Sequence, residues 1–187
     1  MEFRSQFTHA IVRGIPDSMA QVAEGLSGKI DLAKARDQHR AYVDTLRSAG
    51  LSVTALPADE KYADCVFTED AAVIVGDHAL VTNPGVASRK GETDRMREIL
   101  ESLGLIVMDI KDPEACIDGG DVIFTGKELL CGQSKRTNKK GMRALASAFP
   151  GLTVVPVTVT GPLVRNCNHC VIGMGFNQYC LILRRNY

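Results

Sequence analysis

The residues best placed to do chemistry lie in one short stretch of the chain. Three carboxylates, Asp64, Glu69 and Asp70, stand beside a Val-Phe pair, and a run of small apolar residues follows them. This pattern predicts a β-strand that leaves a loop, with the last two acids adjacent in an extended segment and pointing to opposite sides. Such a segment can hold acids away from water. A solvated acidic loop is the alternative interpretation.

A second group of reactive side chains lies near the C-terminal end of the chain. It consists of Cys167, His169, Cys170 and Cys180. A Cys-x-x-Cys spacing is half of a zinc site. Because no second spaced pair accompanies it, we expect no metal site. The other cysteines and histidines fall on apolar strands, helix faces or turns, and we expect them to be structural.

Composition narrows the class of protein. The chain has 187 residues, 45% of them hydrophobic, with 22 basic and 22 acidic side chains. A globular protein with a substantial core is expected. Zero net charge gives no reason to expect nucleic acid or an anionic membrane as a partner. No apolar run approaches the roughly 18 residues of a spanning helix, and the first residues lack a signal sequence. We therefore expect a cytoplasmic protein with reduced thiols.

A structural repeat is visible along the chain. The glycines that end the predicted helices, Gly50, Gly104 and Gly151, recur at intervals of roughly fifty residues. Each repeat is predicted to contain a strand, a second strand, a helix and a strand. One such unit cannot cover its own apolar face, so the copies must pack on one another. The polar residues that begin each copy are expected to converge at one end of the assembly.

Several segments carry a resemblance to a known family. Together they resemble dimethylarginine dimethylaminohydrolase, a guanidine-modifying enzyme family of the pentein superfamily, over about residues 8–157. The resemblance implies a pentein-type α/β propeller of ββαβ repeats, with about three of its five blades present. It also implies hydrolysis of methylated arginine to citrulline and an amine, without a cofactor. The segments are LPADEKYADCVFTEDAAV (56–73), VTNPGVASRKGE (81–92), IDGGDVIFTGKE (117–128) and GQSKRTNKKG (132–141).

The resemblance assigns roles in substrate binding. Asp64, Glu69 and Asp70 match residues that contact the substrate, and a carboxylate can meet the paired N–H donors of a guanidinium in bidentate fashion. Arg89 and Arg136 match the positions that hold the substrate α-carboxylate. Two guanidinium groups there explain why a free amino acid is chosen over a peptide. Any one arginine, taken alone, is better explained as a surface residue.

Two further residues are assigned in the same way. Asp118, in Ile-Asp-Gly-Gly-Asp, matches the acid that orients the catalytic histidine, although Gly-Gly after Asp is also an ordinary turn. Leu26 matches a lid residue over the substrate. Asn83 stands where relatives are expected to carry an arginine, which weakens the positive charge of that end of the site.

The chain departs from the family pattern near its C-terminal end. The nucleophilic cysteine and the catalytic histidine that the family uses are matched by no residue, and nothing after about Leu163 matches the family. We interpret residues 1–162 as an incomplete dimethylargininase-like propeller and residues 163–187 as a divergent tail without assignment. Self-association through open propeller edges is expected from the missing blades.

Two hypotheses about function follow. The first is a dimethylargininase-type hydrolase that converts asymmetric dimethylarginine to citrulline and dimethylamine, in arginine metabolism and the regulation of nitric oxide synthesis. The second is a catalytically inactive, truncated product that binds an arginine-like ligand or a partner chain. The expected partner is a small molecule, methylated arginine, and no cofactor is implied.

Overall fold

The computed structural model describes residues 7–22, 30–158 and 181–183. These residues form two units, one of residues 7–22, 30–68 and 181–183 and one of residues 69–158. The helices are α1 Met19–Val22, α2 Leu32–Ser48, α3 Asp94–Ser102 and α4 Lys139–Ala148. The strands are β1 His9–Arg13, β2 Ser52–Leu56, β3 Ala72–Val75, β4 His78–Val81, β5 Ile106–Asp109, β6 Val122–Phe124, β7 Glu128–Gln133, β8 Thr153–Thr158 and β9 Leu181–Leu183.

The first unit is built on a three-stranded sheet with β1 at its centre. Strand β2 pairs with β1 in parallel and β9 pairs with it antiparallel, so that Ala10 faces Val53 on one side and Ile182 on the other. Helix α2 connects the two parallel strands. Its N-terminus is capped by Asp31, whose side chain accepts a hydrogen bond from the Lys34 amide at 3.0 Å.

The second unit contains two further three-stranded sheets, in the orders β3-β4-β5 and β6-β7-β8. In each sheet the central strand pairs antiparallel with the strand before it and parallel with the strand after the helix. Helix α3 makes the crossover in one sheet and α4 in the other. Both copies therefore have the predicted order of strand, strand, helix and strand.

The same pairing pattern extends the repeat to the first unit. Strand β1 has a parallel partner across helix α2, as β4 and β7 have across theirs, and its antiparallel neighbour is β9. The leading strand of this copy thus comes from residues 181–183. The predicted ββαβ repeat is confirmed in three sheets.

Glycines end two of the helices as predicted. Gly50 and Gly104 follow α2 and α3 with φ of +90° and +76°, the left-handed conformation that a residue without a Cβ adopts at least cost. Gly151 follows α4 without a positive φ. The repeat spacing is therefore confirmed, while only two of the three glycines serve as left-handed caps.

The core of the second unit lies between its sheets and α4. It consists of fully or nearly buried side chains packed in one cluster, with partly buried neighbours around it. Burial of such side chains is the main source of stability for a unit of this size. The cluster residues are Val73, Leu80, Ile117, Leu129, Cys131, Met142, Leu145 and Phe149.

The acidic segment differs from its predicted conformation. Residues Thr68–Ala71 form a one-turn 3₁₀ helix, and the strand begins only at Ala72. Thr82 fixes this turn, because its hydroxyl donates to the Asp70 carbonyl at 2.6 Å and its amide donates to the Ala71 carbonyl at 3.1 Å. The prediction that the two acids lie in an extended segment was wrong, since tertiary hydrogen bonds curl it.

Candidate functional site

The last acid of the acidic segment, Asp70, belongs to a buried ion-pair cluster with Arg89 and Glu92. The guanidinium of Arg89 donates from Nη1 to Oδ2 of Asp70 at 2.5 Å and from Nη2 to Oε2 of Glu92 at 2.7 Å. Its Nε also donates to both carboxylate oxygens of Glu92, at 3.0 and 3.1 Å. All three side chains are buried. The cluster carries two negative charges and one positive charge.

The electrostatics of Arg89 follow from these contacts. Burial alone lowers the pKa of a guanidinium, but hydrogen bonds and charge attraction from Glu92 and Asp70 outweigh it, so the pKa of Arg89 is raised. The cation is therefore permanent in this cluster. Its hydrogen bond to Oδ2 holds the Asp70 carboxylate in one orientation.

Two glycines allow a second segment to approach the acids closely. A Cβ on Gly119 would lie 2.2 Å from the Glu69 carbonyl oxygen, and one on Gly120 would lie 2.5 Å from Oδ1 of Asp70. The Gly120 amide uses this proximity to donate to Asp70 Oδ1 at 3.2 Å. Asp70 is thus fixed by a cation on one oxygen and a backbone amide on the other.

Asp118 precedes these glycines and is 1% exposed. Its Oδ1 accepts from the Gly85 amide at 3.1 Å, and its Oδ2 accepts from Nη1 of Arg136 at 3.2 Å. Burial, followed by the charge of Asp70, raises the pKa of Asp118, while the Gly85 amide and Arg136 act in the opposite direction. The Arg136 side chain is 31% exposed and reaches solvent.

Asp121 organises the turn that carries Arg136. Its Oδ2 accepts from the hydroxyl of Ser134 at 2.8 Å and from that of Thr137 at 2.5 Å. The Thr137 hydroxyl in turn accepts from the Asp118 amide at 3.1 Å. Burial raises the pKa of Asp121 to about 6, and the hydrogen bonds from the two hydroxyls oppose that rise.

The second unit contains five of the predicted site residues, which are Glu69, Asp70, Arg89, Asp118 and Arg136. Asp70 pairs with Arg89 and Asp118 pairs with Arg136, and the Gly120 amide two residues after Asp118 donates to Asp70. Glu69 is buried, and its Cγ would lie 3.8 Å from a Cβ on Gly120. The roles assigned to these residues in substrate binding remain predictions.

Two predicted residues stand apart from this description. Asp64 belongs to the first unit, where it is half-buried and its carbonyl accepts a hydrogen bond from the Phe67 amide at 3.0 Å. Leu26 lies outside the described residues. Among the described residues, no group of three or more histidine, cysteine or acidic side chains is arranged to hold a metal ion.

The sequence interpretation missed two carboxylates of the cluster. Glu92 stands three residues after Arg89, a spacing at which side chains of a helical turn meet, and this spacing was the available signal. Asp121 is the second acid of the Ile-Asp-Gly-Gly-Asp motif, in which only Asp118 was considered. Its hydroxyl partners lie in a segment that the sequence does not place beside it.

The comparisons with known proteins identify the family of this chain. Residues 13–181 match the family model of eukaryotic N,N dimethylarginine dimethylhydrolase. The chain belongs to the dimethylarginine dimethylaminohydrolase family. It is 40% identical to human DDAH2 over 158 residues, which are 83% of this chain and 55% of that protein. It is 34% identical to the dimethylarginine dimethylaminohydrolase of Pseudomonas aeruginosa over 143 residues, 74% of this chain and 55% of the relative.

A solved structure of the family supports the fold. The structure of a cysteine-to-serine mutant of the Pseudomonas aeruginosa enzyme, complexed with citrulline, is 33% identical, with a TM-score of 0.79 over 84% of this chain and 63% of that one. The predicted pentein-type α/β fold of ββαβ repeats is thereby confirmed. The chain spans a little more than half the length of the curated family members it matches.

Asp70 and Arg136 differ in their access to solvent. The Asp70 carboxylate is buried and fixed, whereas the Arg136 guanidinium reaches solvent. In general, a carboxylate can pair with a planar cation such as a guanidinium, and a guanidinium can pair with a carboxylate. In the part of the chain that the structure describes, no helix is long and apolar enough to cross a membrane.

Proposed function

We propose that this protein is a dimethylargininase. It hydrolyses asymmetric dimethylarginine to citrulline and dimethylamine, so that water replaces the dimethylamino group on the guanidinium carbon. The observation that carries the proposal is the cluster of Asp70, Asp118 and Arg136 in a chain of this family. Its place is in arginine metabolism, where removal of methylated arginine relieves inhibition of nitric oxide synthesis, and we propose a cytoplasmic location.

The acidic side of the cluster receives the substrate guanidinium. Asp70 is paired with Arg89 and is oriented by the Gly120 amide, so its carboxylate is preorganised for a cation. Glu69, its buried neighbour, contributes further negative charge. Each charge-assisted hydrogen bond to a guanidinium contributes about 1.5–3 kcal/mol. Asp64 and Leu26 are proposed to contact the substrate as well.

The basic side of the cluster receives the α-carboxylate. Arg136 is 31% exposed, and one of its terminal nitrogens is held by Asp118, which directs the rest of the guanidinium. Arg89 was predicted to share this role. In the structure Nε, Nη1 and Nη2 of Arg89 all donate to Glu92 or Asp70, which supports a role in fixing Asp70.

The reaction needs a nucleophile and a proton carrier in addition. In the family, a cysteine thiolate attacks the guanidinium carbon and a histidine transfers protons. The resemblance described above assigns no residue of this chain to either role. Asp118 is proposed as the acid that orients the histidine, and its side chain is almost fully shielded from water.

Ligands seen in relatives agree with the proposal. One family structure holds citrulline, the product of the proposed reaction, and another is an adduct with S-methyl-L-thiocitrulline. Both ligands are α-amino acids with a planar group at the end of the side chain. A site that pairs an exposed arginine with buried carboxylates is suited to such molecules.

The direct test is the formation of citrulline from asymmetric dimethylarginine by the purified chain. Turnover that Asp70→Ala abolishes, and that the matched exposed variant Asp44→Ala retains, would support the proposal. Asp44 is a suitable control because its side chain is 64% exposed and pairs only with Arg47 on the same helix among the ion pairs described. Absence of turnover in the wild-type chain would contradict hydrolysis and favour a binding protein.

A further inference from the structure

We propose that Asp121 is a positioning residue that holds the Arg136–Asp118 pair in register for the substrate carboxylate. It acts through two hydroxyls that connect its carboxylate to the backbone of both partners. The inference rests on the proposed function where it concerns the ligand, and on the hydrogen-bond geometry where it concerns the pair itself.

The first connection runs through Ser134 to the arginine. The Ser134 hydroxyl donates to Asp121 Oδ2 at 2.8 Å. The Ser134 hydroxyl oxygen in turn accepts from the backbone amides of Arg136, at 3.0 Å, and Thr137, at 3.1 Å. The Ser134 amide closes the turn by donating to the Thr137 carbonyl at 3.2 Å. The backbone from which Arg136 projects is therefore fixed by a side chain that Asp121 orients.

The second connection runs through Thr137 to the acid. The Thr137 hydroxyl donates to Asp121 Oδ2 at 2.5 Å and accepts from the Asp118 amide at 3.1 Å. Thr137 is fully buried, so no water competes for these bonds. The backbones of Arg136 and Asp118, whose side chains form the ion pair, are thus both tied to one carboxylate oxygen.

An ionised carboxylate at residue 121 fixes the orientation of the two hydroxyl groups, which a neutral group does not. An ionised carboxylate only accepts hydrogen bonds, so both hydroxyl protons must point toward it. The hydroxyl lone pairs then face the backbone amides of Arg136, Thr137 and Asp118. A protonated acid or an amide can donate as well as accept, which permits the opposite orientation of either hydroxyl.

Gly85 packs closely against the side of the Arg136 turn that faces away from Asp121, so the turn has little room to shift. A Cβ on Gly85 would lie 2.5 Å from both Cα and the carbonyl oxygen of Arg136, and the Gly85 amide donates to Asp118 Oδ1. The turn is therefore confined between Gly85 and the Asp121 network. Because Gly85 blocks movement on its own side, loss of the network would allow the Arg136 backbone to move only away from Gly85.

The test compares two ligands that differ at one end. Asymmetric dimethylarginine and its decarboxylated analogue share the guanidinium, but only the first has a carboxylate for Arg136. Asp121→Ala should weaken binding of the first about ten- to hundredfold, the loss expected for one charged hydrogen bond, and binding of the second less than about threefold. Asp121→Asn, which keeps one acceptor oxygen, should fall between the wild type and Asp121→Ala.

Matched controls separate positioning from general loosening. Thr125→Ala removes hydroxyl-to-backbone hydrogen bonds from an exposed turn of the same unit, and it should leave both affinities unchanged. In an Arg136→Met background, Asp121→Ala should cause no further loss, because the group that it positions is absent. An equal loss for both ligands, or an additive loss in the double variant, would overturn the inference.

Failure of the proposed function has a different signature. If the wild-type chain binds neither ligand, the dimethylargininase proposal is contradicted, and amide hydrogen exchange decides the positioning role alone. The amides of Arg136 and Thr137 should then exchange at least about tenfold faster in Asp121→Ala, with the Leu145 amide in α4 unchanged. Unchanged exchange at Arg136 would overturn the inference.

Discussion

Arg89 donates a hydrogen bond from Nη1 to Oδ2 of Asp70 at 2.5 Å, and the two side chains are only 4% and 10% exposed. The acid that the sequence suggests for substrate recognition is therefore already paired with a cation of the protein. The pair fixes the carboxylate in a buried place, and Glu92 shares the same cation. Stability and recognition are coupled at this position.

Removal of the cation should be costly. Arg89→Met leaves the buried carboxylates of Asp70 and Glu92 without compensation, and we expect a loss of about 3–5 kcal/mol in the free energy of unfolding. Urea unfolding followed by circular dichroism measures it. The control is Arg40→Met, which breaks an exposed ion pair with Asp37 and should have almost no effect. Similar unfolding midpoints for the two variants would contradict a buried, stabilising cluster.

Alanine substitutions at the two glycines after Asp118 should reduce the free energy of unfolding by different amounts. A Cβ at Gly119 meets backbone oxygens, so Gly119→Ala must move the main chain and should cost more than about 2 kcal/mol. A Cβ at Gly120 meets the Asp70 carboxylate, so Gly120→Ala should displace that side chain at lower cost in stability. Gly151→Ala has open space and no positive φ, and it should be neutral or slightly stabilising.

The order of these three variants is the test. Thermal unfolding should rank Gly119→Ala as the least stable, followed by Gly120→Ala and then Gly151→Ala. Equal stability of Gly119→Ala and Gly151→Ala would show that the segment does not approach the Glu69 carbonyl as closely as described.

Local signals predicted much of the fold. The Asp31 cap and the left-handed glycines at residues 50 and 104 have the predicted positions, because a helix end is decided by a few neighbouring residues. The strand order within the repeats also follows from short-range pattern. The strand at residues 181–183 could not be predicted, since three apolar residues become a strand only through their pairing with β1.

The candidate site residues come from the family resemblance, and the roles assigned to Asp70 and Arg136 remain predictions. The geometry around them could not be predicted from the sequence. The curled conformation of the acidic segment depends on Thr82, which directly follows β4, and the partners of Arg89 depend on how that segment folds. Both the conformation of the acidic segment and the partners of Arg89 depend on contacts between segments that are distant in sequence. Local sequence patterns do not predict such contacts.

The raised pKa of Asp121 predicts a pH dependence of stability. Its value of about 6 in the folded protein lies above the usual 3.8, so the folded state binds the proton more tightly than the unfolded state. The resulting stabilisation is complete below about pH 4 and is lost as the pH rises through about 6. We expect the wild type to lose at most about 2 kcal/mol relative to Asp121→Asn over this range.

Carbon-13 NMR provides the direct measurement of this titration. The side-chain carboxyl carbon of Asp121, assigned by its disappearance in Asp121→Asn, should titrate with a midpoint near pH 6. A midpoint at or below pH 4 would contradict the shielded environment, and the stability difference should then be flat over the same range.

The N-terminus of α4 makes a further prediction. Asn138 Oδ1 accepts from the amides of Gly141 and Cys116, at 2.9 and 3.3 Å, and its Nδ2 donates to the Glu114 carbonyl at 2.8 Å. It caps the helix and also ties it to a neighbouring segment. Asn138→Ala should therefore cost about 2 kcal/mol or more, above the roughly 1 kcal/mol of an ordinary cap.

A second cap is the matched comparison. Asp31 accepts one amide hydrogen bond at the start of α2, and Asp31→Ala should show the ordinary cost. Denaturant unfolding of both variants measures the difference. Equal losses would mean that the additional hydrogen bonds of Asn138 contribute nothing to stability.

The central claim is that a methylated arginine binds with its guanidinium at Asp70 and its carboxylate at Arg136. Isothermal titration calorimetry with asymmetric dimethylarginine tests it most directly, using the wild type, Asp70→Asn, Arg136→Met and the exposed control Glu101→Gln. We predict that the first two substitutions each weaken binding at least about tenfold and that the control matches the wild type. Wild-type affinity in both Asp70→Asn and Arg136→Met, with all four proteins folded by circular dichroism, would contradict the account.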